Sequence, residues 1–309
     1  MLHPFRGRCG FIQYMPMKPA KYGLKVMACC DAKTYYTGNL EVYCGQQVDG
    51  PYKVSNSALD VVKRLTDYIK NENRNLTVDN WYTSHPLATD LLQNKITLIG
   101  MIRKNKKEIP PQFLPHKERQ EGTTIFGFQK DMTLVSYCPR RNKAVLLLST
   151  MHQSLDIDAE TQKPQIILDY NATKGAVDTV DRMCSQYSVS RISKRWPLAL
   201  FFILLNIAGI NAQILYCLKN DESHLRRRIF LKNLALRLTK EHLVARANMY
   251  TLPADVTAYL KQYRTEEKTN LPSSSSKRGR CRICPNSTTT IKCETCKSFI
   301  CKKHSSTRT

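Results

Sequence analysis

The chain has 309 residues, 48 Lys plus Arg against 25 Asp plus Glu, a formal charge of +23 and 42% hydrophobic residues. That length and apolar share suit a folded protein of about two domains, and the basic surplus calls for a polyanionic partner, nucleic acid or an anionic membrane surface. Of its twelve cysteines, seven stand singly or within apolar runs with no secretory signal ahead of them, which argues against a secreted disulfide scaffold and for a reducing compartment.

In chain order, 22–30 and 35–44 are rich in β-branched, aromatic and small apolar residues and predict paired strands. Between 56 and 70 the period changes: Leu59, Val62, Leu65 and Ile69 recur at three and four, an amphipathic helix capped at Asn56 or Ser57. A short strand at 75–78 follows, then a helix opened by Ser84 and Pro86, then a strand at 96–102. The stretch 103–163 begins basic, carries Pro110, Pro111 and Pro115, holds strand-like runs at 133–138 and 144–150, and reads as an insertion. From 165 to 187 a strand-like start leads into a helix. Residues 196–218 are strongly apolar, but Asn206, Asn211 and Gln213 interrupt them. The longest unbroken run, 198–205, is short of the roughly 20 residues a membrane span needs, so a buried core helix is expected and no membrane. A basic helical region continues to about 262, and 265–280, charged then Ser-rich, reads as a flexible linker.

Charge is concentrated. Residues 182–250 hold twelve Lys/Arg against three acids, and 271–309 hold nine against one. Both segments can face phosphate.

Asp79 stands where a predicted strand ends, a place from which side chains converge on ligands in α/β folds. Asp178 and Asp181, three apart, share one helical face. Hard Mg²⁺ or Mn²⁺ takes such oxygen ligands, and two ions about 3.5–4 Å apart can activate an attacking oxygen and stabilise a leaving one. An acidic pair alone is more often an N-cap with a helix-dipole partner.

The order β, β, helix, β, helix, β, insertion, helix is compatible with an α/β sheet but does not identify it. The resemblance lies in motifs: Pro4-Phe5-Arg6-Gly7-Arg8-Cys9, Lys18-Pro19-Ala20-Lys21-Tyr22-Gly23, Asp79-Asn80-Trp81, Leu134-Val135-Ser136-Tyr137, the 171–183 block and Arg195-Trp196-Pro197. In this order, over nearly the whole chain, they resemble the piggyBac transposase family. The resemblance implies an RNase H-like core, interrupted by an insertion, whose acids bind Mg²⁺ or Mn²⁺ and drive strand cleavage and joining at TTAA targets. Asp79 matches the family's second catalytic aspartate, Asp178 the third, and Asp181 a further acid of the same motif. The first, in an Asp-Glu pair just before the Phe-Arg-Gly-Arg-Cys motif, falls about two residues upstream of Met1. Asp31 matches a different family position. The expected organisation is a core at 1–105 and 165–189, an insertion at 106–164, a helical dimerisation and DNA-binding segment at 190–268, a linker at 269–280 and a cysteine-rich domain at 281–309. The family builds its helical domain from segments on both sides of the core, so exposed apolar surface is expected on the one present here.

Cys281-x-x-Cys284, Cys293-x-x-Cys296 and Cys301-x-x-His304 have the spacing with which soft ligand pairs grip Zn²⁺. The tail resembles the family's C-terminal cross-brace, which implies a complete site from Cys281, Cys284, Cys301 and His304 and a partial second site from Cys293 and Cys296. Pairing of the first two motifs stays open. Three functions follow: a transposase-derived DNA-binding protein defective in cutting, an active transposase with its start upstream, or a RING-like or PHD-like protein-interaction module. The first leads; a homodimer is one option, no small-molecule substrate is expected, and nuclear residence follows from the DNA-facing reading and Lys277-Arg278-Gly279-Arg280.

Overall fold

The structure, a computed structural model, describes residues 1–221, 225–249, 251–264, 278–284, 286–294 and 296–305. Residues 269–277 of the expected linker, Lys277 among them, lie outside the described residues. The chain divides into two compact units, Met1–Ala235 and Leu236–Thr309.

The first unit holds two sheets. In one, β1 (Leu2–Pro4), β2 (Gln13–Tyr14) and β4 (Thr37–Val42) all pair antiparallel with β3 (Tyr22–Cys30). The other has the order β5-β6-β9-β8-β7: β5 (Arg74–Val78) runs parallel to β6 (Ile96–Met101), and β7 (Thr124–Gln129), β8 (Met132–Tyr137) and β9 (Val145–Ser149) complete it antiparallel. The 106–164 stretch thus supplies three strands to the sheet that contains β5 and β6. Strands β1, β2 and β7 carry no periodic signal long enough to have been expected.

Helix α1 (Ala58–Thr66) starts at Ser57, whose Oγ accepts from the Asp60 amide at 3.1 Å, and its tail at Asp67–Ile69 tightens into a 3-10 turn. Its apolar face serves both sheets. Val61 and Leu65 pack with Met27 of β3, while Val62 joins Val78, Leu98 and the Leu87 and Leu91 side chains of α2 (His85–Gln93). Ser84 caps α2 through the Leu87 amide, with Pro86 in its first turn.

One expectation is corrected. The strand-like start expected from 165 is helical from its first residue, as α3 (Gln165–Thr173). Ile166, Ile167 and Tyr170 fall on one helical face and bury themselves against Ile99, Val135 and Leu147 of the second sheet. Packing at that face outweighs the β preference of adjacent isoleucines.

Helix α4 (Ala176–Gln186) turns Val180 and Cys184 against Val26 of β3, where Ile203, Ile207 and Ile210 of α5 (Trp196–Asn220) close the cluster. By length and composition α5 could cross a membrane. Its polar residues are engaged with protein instead. Asn211 exchanges two 2.9 Å hydrogen bonds with the Thr37 backbone, and Asn206 accepts from the Val189 amide at 2.9 Å. Phe201, Leu204, Leu205, Leu215 and Leu218 remain exposed on α5. Helix α6 (Arg227–Ala247) begins by packing Phe230 on Tyr216, with Arg227 donating to the Met183 carbonyl.

The second unit contains α7 (Ala254–Leu260), the two-residue strands β10 (Gly279–Arg280) and β11 (Thr288–Thr289), and α8 (Lys302–Ser305).

Candidate functional site

Asp79 follows the buried Val78 at the carboxyl end of β5. Its Oδ1 accepts from the Trp81 amide at 2.9 Å, and its carbonyl accepts from the Thr83 amide and hydroxyl at 3.2 and 2.8 Å. These bonds close a tight turn that leaves the carboxylate at the surface. Burial, helped by the Asp79 charge, pushes the Tyr82 phenol up to about 12 and raises that of Tyr170 on α3. Lys25 of β3 lies 5.1 Å over the Trp81 ring and 4.9 Å over that of Tyr43, which ties the turn to the first sheet.

Asp178 and Asp181 sit on α4, Asp178 on the exposed side away from the inward Val180 and Asp181 half-buried at the edge of the face that Cys184 buries. Asp178 lies in the first turn, where a carboxylate meets the helix dipole favourably. Its side chain is 81% exposed and its Oδ1 is 3.5 Å from Lys18 Nζ. Asp181 acts electrostatically on His3 of β1. His3 is only 9% exposed; burial pushes its imidazole down to about 4, against the pull of Asp181, and its Nε2 has no hydrogen-bond partner among the described residues.

The two acidic motifs meet through a neighbouring contact. Thr77 Oγ1 on β5 and Thr173 Oγ1 at the end of α3 are 2.7 Å apart, which brings the strand leading to Asp79 against the helix leading to Asp178. At its middle α3 is held by His152, whose Nε2 lies 2.8 Å from Asp169 Oδ2 and whose Nδ1 lies 2.8 Å from Ser149 Oγ. The Ser-His-Asp order suggests a hydrolytic relay, but Ser149 is 0% exposed and also accepts from the Met151 and His152 amides, so the network pins a loop.

Sequence reasoning left Thr77, Thr173 and His3 without a role and gave none to Lys18, although Lys18 lies in a motif it singled out. Long-range contacts like these leave no local pattern to read.

Among the described residues, Asp79, Asp178 and Asp181 do not form a group whose oxygens all lie within 4.8 Å of one another. Their donor chemistry suits a hard divalent ion; their spacing does not.

The tail differs. The ligand atoms of Cys281, Cys284, Cys301 and His304 all lie within 4.8 Å of one another. Cys284 Sγ is 3.4 Å from Cys301 Sγ, and His304 Nδ1 lies 3.2, 3.5 and 4.0 Å from the sulfurs of Cys301, Cys284 and Cys281. A tetrahedron with bonds of about 2.0–2.3 Å has edges of about 3.3–3.8 Å, so this set fits zinc. Hydrogen bonds from Ser287 and His304 hold the Cys301 thiol down at about 5. The gathered set is the first and third pairs; Cys293 and Cys296 join no group of three or more among the described residues.

A family model described as Transposase IS4 matches residues 1–213. A solved piggyBac transposase, determined in a synaptic complex with hairpin DNA, superposes with a TM-score of 0.78 at 37% identity over 97% of this chain. The chain belongs to the piggyBac type of the Transposase IS4 family. It spans 66% of the length of that solved piggyBac transposase chain. The fold is mixed α/β with an RNase H-like core, and membership in a family of this type implies use of divalent metal ions.

Proposed function

We propose that the 309-residue chain is a piggyBac transposase-derived DNA-binding protein that does not cut DNA. The carrying observation is the state of its acids. The strand leading to Asp79 touches α3, which precedes the helix of Asp178 and Asp181, yet no three carboxylates are gathered at ligand spacing among the described residues. The matched acids, Asp79, Asp178 and Asp181, are not drawn together, and acids held apart leave divalent ions without the geometry that strand cleavage needs; losses of many orders of magnitude are usual when interdependent catalytic groups do not act together.

DNA as partner is supported by the relative solved on hairpin DNA and by the twelve Lys/Arg between 182 and 250. In this reading Asp79, Asp178 and Asp181 face Mg²⁺ or Mn²⁺, and Cys281, Cys284, Cys301 and His304 hold one Zn²⁺. The partner is duplex DNA containing TTAA. The exposed apolar face of α5 is covered in a homodimer, the parts follow the core, insertion, helical and cysteine-rich divisions given above, and the protein resides in the nucleus.

The deciding experiment incubates the purified chain with labelled TTAA-containing duplex in Mn²⁺ and follows binding and nicking together. Binding that weakens with salt, with no nicked product, is the expected result. Nicking that disappears in Asp79→Ala overturns the defect and restores an active transposase.

A further inference from the structure

Two motifs far apart in sequence are built against each other in the first unit. Arg8 and Arg195 face one another across an isolated parallel bridge. Gly7 permits the approach: a Cβ there would collide with the Lys194 carbonyl oxygen and with the ring of Phe5, which is itself buried. The ring of Phe11 meets Trp196 edge-on, with centroids 5.2 Å apart and an interplanar angle of 72°. Backbone, glycine and aromatic contacts therefore fix this junction without help from its charged side chains.

What the junction holds is cationic. Arg6, Arg8, Lys194 and Arg195 are all exposed, and among the described residues none of them pairs with a carboxylate. Packing that sets two arginines side by side works against their repulsion, and an anion relieves it. Paired guanidinium forks suit neighbouring phosphate oxygens in particular, because each can donate two parallel hydrogen bonds. β1 leads from His3, on which Asp181 acts, through Pro4 directly into the Phe5–Cys9 turn.

We propose that this junction is a phosphate clamp for duplex DNA, in which Arg8 and Arg195 grip the backbone while Arg6 and Lys194 flank it. The inference rests on the DNA-binding reading above and names a surface that makes the contact.

The test measures duplex affinity over a salt series for the full chain and for Arg8→Gln/Arg195→Gln. Loss of two phosphate contacts lowers the slope of log affinity against log salt by about 1.8, at about 0.9 per contact, and at about 0.1 M salt the affinity falls at least about tenfold. A charge-matched control, Lys117→Gln/Lys130→Gln, changes affinity less than about twofold. The clamp is overturned if the arginine pair binds like the parent, or if the control loses as much as the arginine pair, since net charge alone then explains the effect. Should the double variant fail to fold, the single variants Arg8→Gln and Arg195→Gln each show half the slope change, and unchanged slopes in both overturn it equally. A parent chain that binds no duplex at low salt is a separate result: it removes the DNA-binding reading itself.

Discussion

The carboxylate region of the core and the cysteine tail are both built to meet cations, and they differ in how much of the site exists before the cation arrives. In the tail, four ligands from Cys281 to His304 stand within 4.8 Å of one another. In the core, Asp79 and Asp178 come from different elements, linked through Thr77 and Thr173, and their oxygens are not gathered; Asp178 instead faces Lys18. Soft ligands in x-x-spaced pairs need only a short knuckle to converge, and the bound ion then provides most of the folding energy. Hard carboxylates repel one another, and here the fold brings the elements that carry them near without closing the set.

The largest expected effect tests the gathered site. Cys301→Ser removes a ligand of the complete set, and because structural zinc in small domains contributes on the order of 10 kcal/mol, its zinc content falls from one per chain to none by atomic emission. Cys296→Ser keeps its single zinc. Equal retention in both variants breaks the assignment of the first and third pairs.

Next in size is an acid effect on the core. The folded-state pKa of His3, about 4, lies below its ordinary value of 6.5, so the unfolded chain takes up the proton first. Stability contributed by the neutral ring is present above about 6.5 and is lost as pH falls towards about 4, on the order of 3 kcal/mol in all. Chemical denaturation between pH 4 and 7 reads this slope, and His3→Leu flattens it. An unaltered slope in that variant assigns the acid sensitivity to other groups.

A smaller change sharpens the link between the acidic motifs. Thr173→Val deletes the 2.7 Å bond to Thr77 and costs about 1 kcal/mol in urea unfolding, and Thr173→Ser restores most of it. The smallest effect belongs to the Lys18–Asp178 pair, whose side chains are 39% and 81% exposed. Screening by water and salt limits Lys18→Met to less than about 1 kcal/mol, and a larger loss that survives 0.5 M salt shows Lys18 to be a structural residue.

Much of the fold was legible from local chemistry. Ser57 and Ser84 cap the helices they precede, and the strands at β3, β5, β6, β8 and β9 fall within a residue or two of their apolar runs. The exception at α3 is instructive: Ile166 and Ile167 favour a strand taken alone, and only the sheet beneath them makes a helix the better burial. The apolar α5 shows the same limit, since Asn206 and Asn211 read as interruptions until Val189 and Thr37 are seen to receive them.

By itself the sequence determined what lies within reach of neighbours along the chain: helix caps, strand runs, the paired spacing of Cys281, Cys284, Cys301 and His304, and the family motifs. Tertiary structure decided what depends on distant contacts: that Thr77 meets Thr173, that Lys18 answers Asp178, that His3 is buried beside Asp181, and that Arg8 is held against Arg195. Local order is fixed by dihedral preference and spacing, which a few residues encode, whereas convergence of remote side chains is fixed by packing of the whole core.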